Sequence, residues 1–511
     1  MRHYLRRSAW LACALILTAC GGSNGGASGP TLTAIAATPL TIPLAVGGTQ
    51  ALTVTGTYSN GTTATLGSGV TFGSDNVAVA TVSTAGLVTA VADGTAHITV
   101  TDAGASLSAT PVTVTVTAAA STANTLAVVV DGGPAALQDA NPPQPDVNVL
   151  FATVTICTPG STSACQSIDH VQVDTGSVGL GIMSSVLTGV AVPQPITVSG
   201  GPLAECIPYA DGYTWSSMAY VDVQIGGRTI ASLPVNIIGD PAAGSPPASC
   251  TSGYTSSQNE SSVLAFGANG VIGVGYFLQD CGIACTTDPA PTQAYYACPT
   301  SGCVPTAVPL SQQQNNPVGA LAADNNGIVI VLPAVTQSGQ TSVSGTLYFG
   351  VGTQANNTLG SAQLLTVPDS GAAAGTLTTT FNGSTLTGSI IDAGSSAYFF
   401  NDSAIPTCSD DTSFFCPVTS AGAPTTLSLS ATIQGENAVS SPQVFAIGNA
   451  DSLFSSATIL TALPTLGGPN GALNGIVPGF DWGLPFFYGN SVYVLFETFS
   501  VNGTTGPAVG F

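Results

Sequence analysis

Short alternating runs between turn residues constrain the fold of this chain more than any other feature. From about residue 31 onward, runs of Val, Ile, Thr and Leu are separated by turn signals such as "SNGT" and "ADGT". No long stretch has the 3.6-residue period of an amphipathic helix. With 61 Gly and 34 Pro among 511 residues, the sequence predicts an all-β protein with few helices.

The first residues predict export and lipid attachment. The basic segment "MRHYLRR" precedes an apolar stretch that is too short to span a bilayer and ends in "LTAC" at Cys20. This pattern is typical of bacterial lipoproteins, so we expect a signal peptide at 1–19, lipid on Cys20 and a flexible tether at 20–30. Gly21 indicates an outer-membrane lipoprotein of the cell envelope, periplasmic or surface-exposed. An ordinary signal peptide with a chance cysteine is the alternative.

The charge of the exported part excludes nucleic-acid binding. Three of the four basic residues lie in the signal peptide, which leaves Arg228 against 25 acidic residues and no lysine. Such a chain has nothing with which to neutralise phosphates. Few ion pairs would break as carboxylates become protonated, so the composition is compatible with work at low pH. Evolutionary drift in a secreted, protease-exposed protein explains the scarcity of basic residues equally well.

Ten cysteines remain after Cys13 and Cys20 are set aside, and an even number in an exported protein predicts disulfides. A zinc site is the weaker alternative, because only His97 and His170 remain in the mature chain. We therefore predict no metal and no cofactor. Proximity in sequence suggests five bridges: Cys157–Cys165, Cys281–Cys285, Cys298–Cys303, Cys408–Cys416 and, from the remainder, Cys206–Cys250.

Residues 31–118 resemble a bacterial Ig-like domain of the second group. The matching stretch is "SDNVAVATVSTAGLVTAVADGTAHITV", residues 74–100. The resemblance implies a β-sandwich spacer without chemistry of its own. A linker at 119–126 is expected to follow it.

One short motif occurs twice at a spacing of domain size. "HVQVDTGSVGL" contains Asp174, and "TGSIIDAGSSAYFF" contains Asp392, 218 residues further on. Both have an apolar residue directly before Asp, followed by a small residue, Gly and Ser. Asp-Thr-Gly is also ordinary turn chemistry, so either copy alone has a simple structural explanation. The repetition makes a functional pair the sharper hypothesis.

Paired carboxylates explain why such a motif would be needed twice. Two carboxylates that lie close together cannot both ionise, so they share a proton. The charged one can take a proton from an attacking water while the other donates to a carbonyl oxygen. Gly176 and Gly394 would allow tight turns, and hydroxyls of Thr175, Ser177 and Ser395 would orient the carboxylates.

The region around the two motifs resembles the pepsin-like aspartic peptidases. It also resembles an uncharacterised family of proteobacterial lipoproteins with the same pattern. Further segments match in order along the chain: "LFATVTICTPG" at 150–160, "YADGYTW" at 209–215, "VDVQIGG" at 221–227, "NGVIGVGY" at 269–276, "GTLYFGVG" at 345–352 and the closing strands at 486–511.

This resemblance implies two β-barrel lobes, at 127–338 and 339–511, with a cleft between them. Asp174 and Asp392 would be the catalytic residues, and Tyr209 would be the tyrosine of a flap over the cleft. The implied activity is that of a lipid-anchored, acid-active aspartic endopeptidase, a hydrolase acting on polypeptides.

Two positions depart from the family pattern. Ala393 stands where a hydroxyl residue braces the opposite loop, and Gly181 stands where a tryptophan often accompanies the flap tyrosine; Trp215 is a candidate to replace it. These departures leave a second function open, a pepsin-fold peptide-binding or surface interaction module with weak or absent turnover. A structural surface protein made of adhesive β-domains is a third.

Overall fold

The computed structural model describes two compact units, which divide between residues 119 and 120. Strands make up 43% and helices 8% of the structure, which confirms the prediction of an all-β protein. The predicted signal peptide, Cys20 and most of the tether lie outside the described residues. Among the residues that are described, no helix is long and apolar enough to cross a membrane. The described ranges are 29–45, 48–91, 94–117, 123–287, 293–456, 458–471 and 479–511.

The first unit consists of short strands around one apolar core. Its sheets have the orders β1-β4-β5, β10-β9-β11-β2 with β6 paired to β9, and β3-β8-β7. Burial alternates along β9, where Ala96, Ile98 and Val100 point inward, as expected for a strand with one face on the core. The strands are β1 (Leu32–Thr38), β2 (Thr41–Ala45), β3 (Thr49–Ala51), β4 (Thr53–Tyr58), β5 (Thr63–Thr65), β6 (Val70–Ser74), β7 (Ala80–Val82), β8 (Leu87–Ala90), β9 (Gly94–Asp102), β10 (Leu107–Ser108) and β11 (Val112–Thr117).

The second unit is built mainly of strands that span residues 125 to 510. They are β12 (Thr125–Val130), β13 (Leu150–Cys157), β14 (Cys165–Asp174), β15 (Val178–Met183), β16 (Thr197–Val198), β17 (Gly201–Pro208), β18 (Tyr213–Ile225), β19 (Arg228–Ile238), β20 (Gly270–Val274), β21 (Tyr295–Ala297), β22 (Val304–Pro305), β23 (Gly327–Val331), β24 (Val343–Phe349), β25 (Leu364–Thr366), β26 (Leu377–Phe381), β27 (Ser384–Ile391), β28 (Tyr398–Phe399), β29 (Leu427–Gln434), β30 (Ser440–Ile447), β31 (Gly467–Gly468), β32 (Asp481–Trp482), β33 (Ser491–Leu495), β34 (Ser500–Val501), β35 (Thr504–Thr505) and β36 (Ala508–Gly510).

Helices of the second unit are single turns between strands. The α-helical turns are α1 (Ala135–Gln138), α2 (Ala248–Thr251), α3 (Val263–Phe266), α4 (Ala284–Thr287) and α5 (Ala450–Phe454). The 3₁₀ turns are Ser184–Val186, Pro241–Ala243, Ser256–Gln258, Leu310–Gln312 and Leu484–Phe487.

Two large sheets organise the second unit. The larger runs β22-β21-β17-β18-β19-β15-β20-β14-β13-β12-β24-β23-β33-β36-β25, with β16 paired to β17, and the smaller runs β30-β29-β26-β27-β32-β28-β31. β34 and β35 form a separate hairpin. One apolar cluster draws side chains from both large sheets. Within it the rings of Phe400, Phe480 and Trp482 stack in succession, with centroids 4.7 and 4.2 Å apart.

One arrangement of three strands occurs once in each large sheet. In the larger sheet, β20 lies between β14 and β15, parallel to the first and antiparallel to the second. In the smaller sheet, β32 lies between β27 and β28 with the same two directions. The loop that joins β14 to β15 and the loop that joins β27 to β28 are therefore equivalent, and they carry the two copies of the repeated motif.

The disulfide pairing predicted from the sequence is confirmed. The structure contains the bridges Cys157–Cys165, Cys206–Cys250, Cys281–Cys285, Cys298–Cys303 and Cys408–Cys416. Four of them close loops of eight residues or fewer. Cys206–Cys250 has a sequence separation of 44 and ties β17 to α2.

Candidate active site

The two aspartates of the repeated motif stand at equivalent points of the fold. Asp174 is the last residue of β14 and lies opposite Gly273 of the parallel strand β20. Asp392 follows the last residue of β27, and its amide donates to the carbonyl oxygen of Trp482 in the parallel strand β32, at 3.1 Å. Each carboxylate is thus fixed at the carboxyl end of a strand with a parallel neighbour.

The two loops approach each other so closely that only glycine fits beside the carboxylates. A Cβ on Gly394 would lie 2.5 Å from Asp174 Oδ1, and a Cβ on Gly176 would lie 2.9 Å from Asp392 Oδ1. Each glycine therefore abuts the aspartate of the opposite loop. The two carboxyl groups are thereby brought within electrostatic reach of each other. Motifs 218 residues apart in sequence meet in one site.

Both loops orient their aspartate by the same backbone bond. The amide of Gly176 donates to Asp174 Oδ1 at 2.7 Å, and the amide of Gly394 donates to Asp392 Oδ1 at 2.8 Å. These bonds fix the carboxylate planes relative to the turns.

The serines of the two motifs differ. Ser395 Oγ donates to Asp392 Oδ2 at 2.9 Å. Ser177 Oγ instead faces β20, where a Cβ on Gly273 would lie 2.7 Å from it. Within the described part of the chain, the Ser177 hydroxyl forms no hydrogen bond with Asp174. The support that the sequence suggests for both serines is therefore present at Ser395, whereas Ser177 packs on the neighbouring strand.

Two side chains of the first loop and its strand hold the backbone of the second loop. Thr175 Oγ1 accepts a hydrogen bond from the amide of Ala393 at 2.8 Å and donates to the carbonyl of Ile391 at 3.2 Å. Gln172 Nε2 donates to the carbonyl of Gly394 at 3.1 Å. Ala393 is fully buried and has no hydroxyl to return such a bond. The first loop and its strand therefore supply the side-chain bonds that join the two loops.

Burial and like charge place a proton on the pair. Asp174 is 7% exposed and Asp392 is 9% exposed. Burial, followed by the charges of Asp174 and Asp481, raises the pKa of Asp392 well above its usual value. Asp392 is therefore the member on which a proton is favoured, and two carboxyl groups this close share one proton.

Tyr209 lies in the turn of a hairpin formed by β17 and β18. Its amide donates to the carbonyl of Gly212 at 2.8 Å, which closes the turn. Its ring packs edge-on against Phe266, with centroids 5.5 Å apart. Burial and then the charge of Asp174 raise the pKa of the Tyr209 phenol, so the side chain lies within electrostatic reach of the aspartate pair.

The aromatic partner of Tyr209 differs from the sequence expectation. Trp215 packs against Tyr296 at 5.4 Å and donates through Nε1 to the carbonyl of Gly244 at 3.0 Å. Phe266 of α3 contacts Tyr209 instead. Gly181 cannot carry a larger side chain without movement, because a Cβ there would lie 2.8 Å from Ile238 Cδ1. The space for a tryptophan is therefore taken by the strand packing.

A third carboxyl group, which sequence reasoning missed, lies beside the pair. Asp481 is 5% exposed and is the first residue of β32. Burial and the charge of Asp174 raise the pKa of Asp481, the neighbouring Ser395 hydroxyl lowers it, and the net result is a pKa of about 7. The signal in the sequence is an aspartate inside the apolar segment "GFDWGLPFF", but nothing there indicates which groups it faces.

Metal binding has no support in the side chains described. One cluster there combines residue types that ligate metals, Cys408, Cys416 and Asp451. Its two cysteines are joined in a disulfide, which removes the thiolates that zinc would need.

Comparison with known proteins relates both units to other chains. Residues 32–114 match the family described as Bacterial Ig-like domain (group 2), which confirms the predicted Ig-like domain. Ice-binding protein 1 of Shewanella frigidimarina (strain NCIMB 400) is 48% identical over 69 residues, 14% of this chain and 8% of that protein, so the chain spans less than a tenth of this relative.

A solved structure with weak similarity and a family that matches most of the chain were also found. The crystal structure of aspartic proteinase from Irpex lacteus aligns with a TM-score of 0.43 at 14% identity, over 76% of this chain and 96% of that chain. Residues 120–511 match the family described as Protein of unknown function (DUF3443), and the chain therefore belongs to that family.

Proposed function

We propose that residues 120–511 form a two-lobed pepsin-like domain and that the protein is an aspartic endopeptidase. One observation carries this proposal. Two buried aspartates, each at the end of a strand in the same three-strand arrangement, abut the glycine of the opposite loop, and burial with the charge of Asp174 favours a proton on Asp392. A pair of turn residues without a joint role has no need to be brought together and desolvated in this way.

The geometry supports a division of labour between the two carboxyl groups. Asp174 would take a proton from a water molecule that attacks the peptide carbonyl. Asp392, as the protonated member, would donate to the carbonyl oxygen as the tetrahedral intermediate forms. Activity is then highest where the pair carries one proton, and it falls as rising pH removes that proton.

The hairpin that carries Tyr209 supports a covering role over the site. Its turn lies close enough to Asp174 for the carboxylate to act on the tyrosine phenol. Closing such a hairpin over a bound peptide would exclude water and strengthen the electrostatic interactions inside.

The setting of the enzyme is a further part of the proposal. The "LTAC" motif at Cys20 supports lipid attachment, and Gly21 supports sorting to the outer membrane. The substrate would be a polypeptide in the periplasm or at the cell surface. The Ig-like unit would act as a spacer between the anchor and the peptidase.

Cleavage of an unfolded protein tests this proposal. The full chain should cut denatured casein below neutral pH, and a statine-type peptide should inhibit it. D174N and D392N should each reduce the rate by roughly a hundred- to ten-thousand-fold, since each removes one partner of acid–base catalysis. D240N is the matched control: Asp240 is also 7% exposed but is bonded to Ser217 and the amide of Ala242, so cleavage should persist. Residual cleavage at the wild-type rate in both site variants would contradict the mechanism.

A peptide-binding module with little or no turnover is the alternative function. Ala393 favours it, because the brace from the second loop to the first is missing. This alternative predicts that the wild-type chain binds the statine-type peptide without cutting casein, and that A393T creates or strongly raises cleavage. Cleavage by the wild type that D392N abolishes would decide against it.

A further inference from the structure

Asp481 occupies a position that favours an apolar side chain. Its neighbours Phe480, Trp482 and Leu484 are fully buried, and Asp481 itself is 5% exposed. Its Oδ1 is buried without a hydrogen-bond partner. A carboxylate in such surroundings is costly unless it is neutral or has a function.

The Ser395 hydroxyl connects Asp481 with the aspartate pair. Ser395 Oγ donates to Asp392 Oδ2 at 2.9 Å. The same hydroxyl acts on Asp481 and lowers its pKa, so Ser395 lies near both carboxyl groups. Asp481, Ser395 and Asp392 therefore form one polar group where β27 and β32 lie side by side.

Close backbone contacts hold Asp481 beside the loop that carries Asp392. Asp481 lies opposite Ile390 in β27 and opposite Phe399 in β28. The amide of Leu484 donates to the carbonyl of Ser395 at 2.7 Å. A Cβ on Gly483 would lie 2.6 Å from that same carbonyl oxygen. The segment after Asp481 therefore stands firmly against the Asp392 loop.

Among the residues that the structure describes, the groups that face Asp481 include no cation. The loops supply Asp392, Ser395 and Asp174, and both strand neighbours are apolar. Tyr276, which follows β20, faces Asp392 with a phenol. The basic side chains of the second unit are engaged with other acids, Arg228 with Asp324 and His170 with Asp131 and Asp169. A charge on Asp481 would therefore act on the pair without a cation to offset it.

We propose that Asp481 is a third acid of the site, a positioning residue that keeps the shared proton on the pair Asp174–Asp392 as the pH rises. This inference rests on the proposed peptidase function. While neutral, Asp481 adds no charge to the site. Once ionised, its charge disfavours a second negative charge nearby, so the pair retains its proton. The effect extends the working range toward neutral pH.

The pH profile of cleavage tests the inference. D481N is isosteric with the neutral acid and removes the charge of Asp481, so its pH profile is compared with that of the wild type after each is scaled to its own maximum. The alkaline limb of the pH–rate profile should move to lower pH by roughly one unit or more, because the variant lacks the charge of ionised Asp481. D481L, which suits the apolar surroundings, should show the same shift if the asparagine variant folds poorly. D146N is the matched control: the pKa of Asp146 is also raised to about 7, but the charges acting on it are Asp131 and His170, so the limb should stay in place.

A direct titration separates this inference from the peptidase proposal. The carboxyl carbons of aspartate, labelled with ¹³C, report the ionisation of Asp392 by NMR whether or not the chain cleaves anything. The upper titration of Asp392 should lie at lower pH in D481N and D481L than in the wild type and D146N. Equal titrations in all four proteins would overturn the role of Asp481. A shifted titration together with absent casein cleavage would uphold the coupling and reject the peptidase.

Discussion

Replacing Thr175 with valine removes the hydroxyl that joins the two aspartate loops while the side-chain volume is kept. Thr175 is 3% exposed. Its Oγ1 accepts from the amide of Ala393 at 2.8 Å and donates to the carbonyl of Ile391 at 3.2 Å. The variant T175V therefore leaves a buried N–H group and a carbonyl of the second loop without this partner.

The magnitude follows from the cost of leaving buried polar groups unpaired. Each such group costs about 1–3 kcal/mol. The carbonyl of Ile391 has a second lone pair, and its residue stays in the ladder between β27 and β32, so its share is small. The amide of Ala393 has a single proton and no alternative. We therefore expect T175V to lower the free energy of unfolding by about 1–3 kcal/mol.

Urea unfolding followed by tryptophan fluorescence measures this loss. Trp482 is fully buried, and its carbonyl accepts the amide of Asp392, so its emission reports on the site. T380V is the matched control, since Thr380 is an exposed residue of β26. Its effect should stay within about 0.5 kcal/mol.

Two results would refute this reasoning about the brace. The first is a T175V protein as stable as T380V, which would mean that the bonds across the loops contribute nothing. The second is a large loss of stability with unchanged affinity for a statine-type peptide, which would mean that the brace stabilises the fold without setting the distance between the two carboxyl groups.

Three further predictions concern stability and location. Removing Cys206–Cys250 by C206A/C250A should lower the free energy of unfolding by about 4 kcal/mol, against about 2 for Cys281–Cys285, because the sequence separations are 44 and 4; equal losses in urea unfolding would contradict the loop-length argument. The raised pKa of Asp481 contributes stability that is full below pH 3.8 and lost as the pH rises through about 7. The free energy of unfolding should therefore fall by about 4 kcal/mol less in D481N than in the wild type when it is measured from pH 4 to 8. The same dependence on pH in both proteins would show that Asp481 titrates normally. C20A should release the protein from the membrane fraction or block its maturation; full membrane association would mean that the signal was misread.

The local parts of the fold could be predicted from the sequence. Alternating runs and turn residues fixed the all-β class because β-strands need only a period of two and a nearby turn. Most disulfide partners are close in sequence, so few alternatives had to be considered. The repeated motif stood out because a rare combination recurred with the same order of residue types.

The tertiary environment of the site could not be predicted in the same way. Asp481 and Phe266 lie far in sequence from the residues they contact, and nothing local to them indicates those contacts. Ser177 and Ser395 have the same place in the motif, yet only Ser395 bonds its aspartate. The difference arises from Gly273 and its strand, which lie against the Ser177 hydroxyl. The same residue at the same place in a motif thus makes different side-chain contacts when the neighbouring strands differ.

The asymmetry of the braces bears on which aspartate is the acid. Asp392 accepts from the amide of Gly394 and from Ser395, and both bonds favour its charged form. Burial and the charges of Asp174 and Asp481 outweigh them, because the pKa of Asp392 is nevertheless raised well above its usual value. The third acid thus lies beside the member that holds the proton. The loop of Asp392 lacks a bracing hydroxyl because residue 393 is alanine. On that same side of the site, Asp481 favours the protonated form of Asp392, on which the proposed chemistry depends.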